Sequence, residues 1–441
     1  MKNTKKLKKK MNRNVKIYLE TYGCAANKSD SEIMMGLLKE GGFQIVKDCK
    51  DADINIINTC IVKTPTAKRM ERRIRELYST GKPLIVAGCM AKAEVDRVKK
   101  FAPTASIITP NAIDRIVDVV ERTLKGESVI AEGEMKEKVS LPRIPFNDVI
   151  SIVQISSGCL SACSFCETRI ARGVLKSFPP ASIIERIKKD IKIGFKEFWI
   201  TSQDNACYGF DLNTNLARLL KEIVSLEGDF FVRVGMMNPA HLIKRREVLL
   251  ELIEVYKSEK IFKFLHLPLQ SGSDRVLEDM NRGYTLMEFI EIVNAFRKEI
   301  PDITLETDVI VGYPTESEED FEKTLKAIEI LRPDVVNISK FSPRPHTPAE
   351  KLKQLPPEVV RRRSKALYEL VKRIAMENNK RFLNRVVEVL VDEIGKDGTY
   401  IGRNIQYKPV IMRSEESVLG KKLKVRIVDC KSNFLIGDIQ I

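Results

Sequence analysis

No apolar run in this 441-residue sequence approaches the roughly 20 residues that a membrane-crossing helix needs. The stretch Met1 to Lys16 is rich in lysine, but no apolar core follows it, so it does not read as a secretory leader. Nine cysteines in a long chain without a leader do not make a disulfide framework. No internal repeat stands out, nor any low-complexity block beyond the lysine tail, which argues against a repeat architecture. These absences leave a cytoplasmic, globular protein with no membrane association as the expectation. A composition of 43% hydrophobic and 31% charged residues suits one.

What is present is charge and a few well-placed thiols. A formal net charge of +15 points to an acidic partner, with nucleic acid ahead of an anionic membrane. Six of the nine cysteines fall into two groups with recognisable settings, whereas Cys49, Cys207 and Cys430 have none. In a reducing compartment such thiols serve metals or redox chemistry more often than cross-links.

A basic, disordered tail is expected at residues 1–13. From there strand-like runs at Val15–Thr21, Asp53–Asn58 and Pro83–Ala87 alternate with amphipathic helices at Ser29–Lys39, Thr64–Tyr78 and Ala91–Phe101. This pattern builds a parallel sheet, giving a first α/β domain over 14–131. The charged, proline-bearing stretch 132–147 reads as a linker. Six further strand–helix units, from Val149–Ser156 to Val335–Phe341, predict a partial (β/α)6 barrel that ends with a trailing helix by residue 375. Short strands with glycine punctuation over 376–441, among them Gln406–Ile411, predict a small OB-like β-barrel.

The segment Ser156-Ser-Gly-Cys-Leu-Ser-Ala-Cys-Ser-Phe-Cys166 follows the first strand of the second domain. A buried helix could carry cysteines at these spacings, but Gly158 and four serines favour a loop. Zinc is one ligand for Cys159, Cys163 and Cys166. An iron–sulfur cluster is the better fit, because such clusters normally take four thiolates and three would leave one iron open. An open iron can chelate the amino and carboxylate groups of S-adenosylmethionine (SAM). The spacing C-x3-C-x2-C after a barrel strand is the radical-SAM signature. Polar turns at the other strand ends supply candidate SAM contacts: Thr201, Ser202, Gln203 and Asp204; Gln270 and Ser271; Asp308, Gly312 and Pro314.

Cys24, Cys60 and Cys89 share a setting rather than a motif, since each follows a strand and precedes a helix. In a parallel sheet all three lie at the carboxyl edge, where such sheets bind ligands and where helix N-termini favour thiolates. Buried thiols, zinc and a second iron–sulfur cluster are the open readings, and the cluster is preferred.

These residues resemble the radical-SAM methylthiotransferases over nearly the whole chain. Thr21-Tyr-Gly-Cys-Ala-Ala-Asn27, Ile57-Asn-Thr-Cys60 and Ala87-Gly-Cys-Met90 look like that family's three auxiliary-cluster motifs. Phe341-Ser-Pro-Arg-Pro-His-Thr-Pro348 looks like its S-P-R-P-x-T-P segment, with His346 where glycine is usual. The flank Cys166-Glu-Thr-Arg-Ile-Ala-Arg-Gly-Val-Leu-Lys-Ser177 is similar to the archaeal and eukaryotic branch. The resemblance implies an N-terminal cluster domain, a radical-SAM barrel and a C-terminal TRAM domain. It implies two [4Fe–4S] clusters, SAM, an electron donor and a sulfur source. It also implies a substrate, N6-threonylcarbamoyladenosine (t6A) at position 37 in the tRNA anticodon loop, and a 2-methylthio product (ms2t6A). The first domain is then expected to cap the barrel mouth. Isopentenyladenosine in tRNA, a ribosomal-protein aspartate, and a non-catalytic iron–sulfur RNA-binding protein are the alternatives. For the tRNA grip the expected residues are Arg381, Arg385, Tyr400, Arg403, Tyr407 and Lys408, with phosphates meeting the cations and bases stacking on the rings.

Overall fold

The computed structural model describes residues 14–61 and 64–440. The basic tail expected at 1–13 lies outside the described residues. The chain forms two compact units. The first runs to Phe146 and includes the short segment Ile170–Arg172, and the second holds Asn147–Arg169 and the chain from Gly173 onward. No helix among the described residues is long and apolar enough to cross a membrane.

Unit one is a six-stranded parallel sheet, as the alternating pattern predicts. Its strands are β1 (Lys16–Thr21), β2 (Gln44–Val46), β3 (Ile54–Thr59), β4 (Leu84–Gly88), β5 (Ser106–Ile108) and β6 (Ile130–Ala131), in the order β2-β1-β3-β4-β5-β6. All residues of β3 and β4 are buried, which is why they read as near-continuous apolar runs. The helix Ala25–Glu40 packs on one face with Ile116–Leu124, and Thr64–Tyr78 packs on the other. The helix expected over Ala91–Phe101 is broken at Glu94, whose φ of −133° splits it into Met90–Ala93 and Val95–Phe101.

The expected linker is a second correction. Up to Phe146 it folds onto unit one instead of hanging free. Met135 and Val139 are buried, Lys138 pairs with Asp30 at 3.0 Å, and the Ile144 N–H donates to the Glu32 carbonyl at 2.9 Å. Gly36 makes room for it, since a Cβ there would lie 2.4 Å from the Pro142 carbonyl oxygen.

In unit two, β7 (Ile150–Gln154) leads into β8 (Ser156–Ser157), which pairs antiparallel with β9 (Lys176–Ser177). Then follow β10 (Glu197–Thr201), β11 (Phe231–Val234), β12 (Phe264–His266), β13 (Thr304–Val311) and β14 (Val335–Lys340). They pair in parallel as β7-β10-β11 and β12-β13-β14, with a parallel bridge from Val232 in β11 to Ile261 just ahead of β12. Six parallel strands in sequential order make the expected open barrel. The helix Pro357–Lys380 trails it.

The C-terminal segment closes as a five-stranded barrel of β15 (Val386–Ile394), β16 (Thr399–Asn404), β17 (Pro409–Arg413), β18 (Lys422–Cys430) and β19 (Leu435–Ile439). It is not a separate body. It packs against the amino ends of the large barrel's strands, so the carboxyl ends, with the thiol loop, lie away from it. The Tyr407 ring sits 4.8 Å from Phe262 and 4.9 Å from Phe264, and its hydroxyl donates to Glu197 at 3.2 Å. Arg403 reaches the buried Asp392 at 3.3 Å, and Lys408 reaches the buried Asp334 at 2.8 Å.

This interface carries a pH dependence. Burial first, and then the neighbouring Glu197 charge, push the Asp392 carboxyl up to about 8, against the pull of Arg403. Its unfolded value is about 3.9, so the folded state loses stability as pH rises from about 4 towards about 8. Asp392→Asn is therefore expected to raise the melting temperature more at about pH 8 than at about pH 5. A tenfold change in proton affinity corresponds to about 1.4 kcal/mol, so the relief near pH 8 is on the order of 2 kcal/mol after discounting for coupling to Glu197. Thermal melts of the full chain at the two pH values measure it, and equal shifts at both would reject this origin.

Candidate active site

The thiol loop begins where β7 gives way to β8. Gly158 has φ of +82°, and a Cβ there would fall 2.1 Å from the Val174 carbonyl oxygen, so only glycine fits. The β8–β9 pairing and the Cys159 N–H bond to the Gly173 carbonyl, at 3.2 Å, tie the two ends of the loop together. Cys159, Cys163 and Cys166 are free thiols, each partly buried. The three interact electrostatically, so they share one neighbourhood. Burial first, and then the Asp204 carboxylate, push the Cys159 thiol up to about 12; burial and then Cys163 push Cys166 up. Without a positive group to bind, Cys159 and Cys166 stay protonated.

Hydrogen-bond donors already address the sulfurs. The buried Arg282 guanidinium donates to Cys163 Sγ at 3.1 Å, and the Ser161 N–H donates to Cys159 Sγ at 3.4 Å. Arg282 is itself held by Asn238 Oδ1 at 3.1 Å and by the Pro268 carbonyl at 3.3 Å. Asn238 Nδ2 in turn donates to Ser161 Oγ at 2.8 Å, closing a ring of polar contacts behind the loop. Several buried acceptors near the strand ends have no hydrogen-bond partner among the described residues: Gln154 Oε1, Ser156 Oγ, Ser157 Oγ and Gln270 Oε1. Buried polar atoms of this kind normally have partners, so their grouping suits a polar ligand. Gln270 also has φ of +70°, a conformation uncommon for a residue with a side chain, fixed by its N–H to the Asp308 carbonyl at 2.7 Å.

The other expected SAM contacts are found at the strand ends, mostly engaged in holding loops. Gln203 Oε1 accepts from the Gly158 N–H at 2.7 Å, clamping the thiol loop to the end of β10. Asp204 Oδ1 accepts from the Ala206 and Asn238 N–H groups, at 3.0 and 2.9 Å. Ser202 Oγ accepts from the Asp204 N–H at 3.2 Å, and buried Ser271 Oγ accepts from the Ser273 N–H at 3.2 Å. The Gly312 N–H goes to Glu316 at 2.8 Å, and Asp308 pairs with His266 at 2.8 Å. Thr201 is buried at the end of β10, and Pro314 lies in the turn after β13. Asp204, Cys207 and His241 also bring one ligand atom each within 4.8 Å of one another. Burial lowers the His241 pKa and raises that of Cys207, so both stay neutral there.

The separated cysteines gather on adjacent strands. β1, β3 and β4 are neighbours, and Cys24, Cys60 and Cys89 follow their carboxyl ends. A Cβ on Gly23 would lie 3.1 Å from Cys60 Sγ; the Cys89 N–H donates to the Thr59 carbonyl at 3.0 Å; and Cys89 and Cys24 interact electrostatically. Cys24 and Cys89 occupy the N-cap positions of the helices they precede, as the βα setting predicts. Asn27 Nδ2 donates to the carbonyls of Tyr22 and Thr59, both at 2.9 Å, stitching the first two turns together. The donor set at both sites, three thiols with polar support, fits an iron–sulfur cluster with one open position.

Arg282 and Asn238 carry no local motif, and nothing in the sequence singles them out, whereas Asn27 closes the first of the quoted auxiliary-cluster stretches. The RNA assignment needs correction. Tyr407, Arg403 and Lys408 are engaged in the packing of the small barrel, with Arg403 and Tyr407 partly buried and Lys408 buried. Arg381 is half engaged with Asp334 at 3.4 Å, Tyr400 is partly buried on β16, and Arg385 is exposed.

A thiol loop after the first strand of an open six-stranded parallel barrel defines a radical-SAM enzyme. Residues 153–328 match the radical SAM superfamily, 16–109 the UPF0004 family and 380–439 the TRAM domain. The probable threonylcarbamoyladenosine tRNA methylthiotransferase of Pyrococcus horikoshii is 45% identical, over 96% of this chain and 99% of its own length. The threonylcarbamoyladenosine tRNA methylthiotransferase of Danio rerio is 36% identical, over 96% of this chain and 78% of its own. The chain belongs to the threonylcarbamoyladenosine tRNA methylthiotransferase family. Among solved structures, the radical S-adenosylmethionine methyltransferase TsrM of Kitasatospora setae superposes with a TM-score of 0.55 at 13% identity over 77% of each chain, a likeness of fold alone.

Proposed function

We propose that this protein converts t6A at position 37 of cytoplasmic tRNA into ms2t6A. The observation that carries the reading is the pair of three-thiol sites at the carboxyl ends of parallel strands, in a chain whose full-length relatives bear that activity in their names. Cys159, Cys163 and Cys166 would hold a [4Fe–4S] cluster, and Cys24, Cys60 and Cys89 a second one. When bound, the first cluster and SAM supply a 5′-deoxyadenosyl radical that can open an unactivated C–H bond such as adenine C2–H, while the second supplies sulfur.

The protein's own part is orientation and exclusion. Arg282 balances the negative charge of the Cys163 thiolate, and Gln203 sets the loop by holding the Gly158 N–H. Gln270 and Thr201 are the expected contacts still free to orient the SAM amino acid moiety, with Gln270 preset by its backbone. Partial burial of all three loop cysteines limits access of water and oxygen. An electron donor and a sulfur source complete the set of partners.

The tRNA grip moves to another face of the small barrel. Lys424 and Arg426 are exposed on β18, two residues apart and therefore on the same side, and Arg385 is exposed beside them, its carbonyl accepting the Ile427 N–H at 2.9 Å. They can meet phosphates, although Glu388 and Asp438 face Lys424 and Arg426 across the neighbouring strands. The double change Lys424→Ala and Arg426→Ala is expected to weaken tRNA binding and to reduce the slope of log K against log salt by about 2, one per cation removed. Filter binding across a salt series reads that slope directly. An unchanged slope would move the grip elsewhere.

The function itself is tested in a bacterial host whose tRNAs carry t6A without the methylthio group. Mass spectrometry of digested tRNA is expected to show ms2t6A when this chain is expressed and none with Cys163→Ser. Absence of ms2t6A with a soluble, iron-loaded protein would count against the reading.

A further inference from the structure

Arg172 belongs to the short segment packed into unit one and is among the largest fully buried side chains of the protein. Its guanidinium meets Asp30 Oδ2 at 2.8 Å and Asn27 Oδ1 at 2.6 Å. Asn27 Oδ1 also lies 3.6 Å from Cys89 Sγ, and the Arg172 charge is felt by Cys89 and, more weakly, by Cys24. A second buried cation, Lys138, meets the other oxygen of Asp30 at 3.0 Å. Two cations thus share one carboxylate in a place closed to water.

An arginine side chain cannot give up its proton in a protein, and burying an unpaired charge is costly. Asp30 lies against both cations, and burial lowers the Lys138 pKa, so Arg172 is the cation that cannot be neutralised there. The Arg172 guanidinium is linked through Asn27 Oδ1 to the Cys89 sulfur, so a fixed positive charge lies at the edge of this thiol site. Cysteines bound as thiolates within an anionic group would place negative charge next to that guanidinium.

We propose that Arg172 is a positioning residue for the group held by Cys24, Cys60 and Cys89, stabilising its more negative, reduced state while Asp30 opposes that effect. The proposal rests on the auxiliary-cluster reading. A cation beside a cluster favours the added electron, and a carboxylate disfavours it, so the two residues act with opposite signs.

The test uses the full chain with Cys159, Cys163 and Cys166 all replaced by alanine, so that only the auxiliary site can take a cluster. After anaerobic reconstitution, a redox titration followed by electron paramagnetic resonance gives the midpoint potential. Arg172→Gln is expected to lower it, cutting the reduced-to-oxidised ratio at a fixed potential at least tenfold, about 59 mV for one electron. Arg172→Lys, which keeps the charge, is expected to restore most of the loss. Asp30→Asn is expected to shift the potential upward. Should Arg172→Gln fail to load iron, the Asp30→Asn shift decides, because a merely structural role predicts no upward movement. Unchanged or downward potentials in Asp30→Asn, or an unchanged potential in loaded Arg172→Gln, would overturn the proposal. No iron in the triple-alanine parent would instead remove the auxiliary cluster on which it stands.

Discussion

Replacing Cys159, Cys163 and Cys166 together by alanine removes about half of the iron and ends SAM cleavage, while the auxiliary site keeps its share. The expected loss is complete because the three thiols sit in one loop with no substitute ligand built into it. That loop is fixed by parts unrelated to the thiols. Gly158 is dictated by the Val174 carbonyl, Gln203 holds the backbone, and the β8–β9 pairing closes the base. Removing the sulfurs therefore leaves the fold intact and the failure is chemical. Iron quantitation and chromatography of 5′-deoxyadenosine measure both effects. Unchanged iron, or deoxyadenosine at the level of the unaltered chain, would contradict the assignment.

The second large effect separates the two sites. With Cys24, Cys60 and Cys89 replaced by alanine, iron again falls by about half, but SAM cleavage continues and no methylthio product forms. Cys60 and Cys89 are buried just past β3 and β4, and Cys89 packs within a cluster rich in isoleucine, valine and alanine, so alanine is tolerated there by size and polarity. The cost to the fold is expected to be small compared with the loss of product. The measurement is the ratio of deoxyadenosine to ms2t6A. A variant that still makes ms2t6A would show that these thiols do not supply the sulfur.

Much of the fold is legible in the order of residues. Strong apolar periodicity places Thr64–Tyr78, Glu197–Thr201, Leu286–Glu299, Thr304–Val311 and Glu318–Leu331 at the bounds the structure has. Both cysteine groups are legible because strand-to-helix turns and the C-x3-C-x2-C spacing are local features. What is not legible depends on partners far apart in the chain. Gln406–Ile411 reads as a strand, yet Tyr407 takes φ of +61° in a turn, and β17 starts only at Pro409. The turn buries Tyr407 and Lys408 against residues more than 70 positions away, and no local pattern announces that. β19 gives little signal because it is short and carries Gly437, needed where a Cβ would lie 2.7 Å from the Arg426 carbonyl oxygen. The strap ahead of Phe146 reads as a linker because its charged residues look solvated, whereas Lys138 has a buried partner, Asp30, 108 residues earlier. Arg282 escapes notice for the same reason, and Arg172 stands in the quoted Cys166–Ser177 flank without any sign of its partner Asp30.

The most direct test of the assigned activity is an anaerobic incubation of reconstituted protein with SAM, a sulfide source, a strong reductant and one of three substrates. These are tRNA bearing t6A, tRNA bearing isopentenyladenosine, and a ribosomal protein with its target aspartate. Nucleosides and peptides are then read by mass spectrometry. The expected result is ms2t6A from the first, with 5′-deoxyadenosine formed alongside it, and no methylthio product from the other two. A methylthio product from either of the others with none from t6A would contradict the assignment.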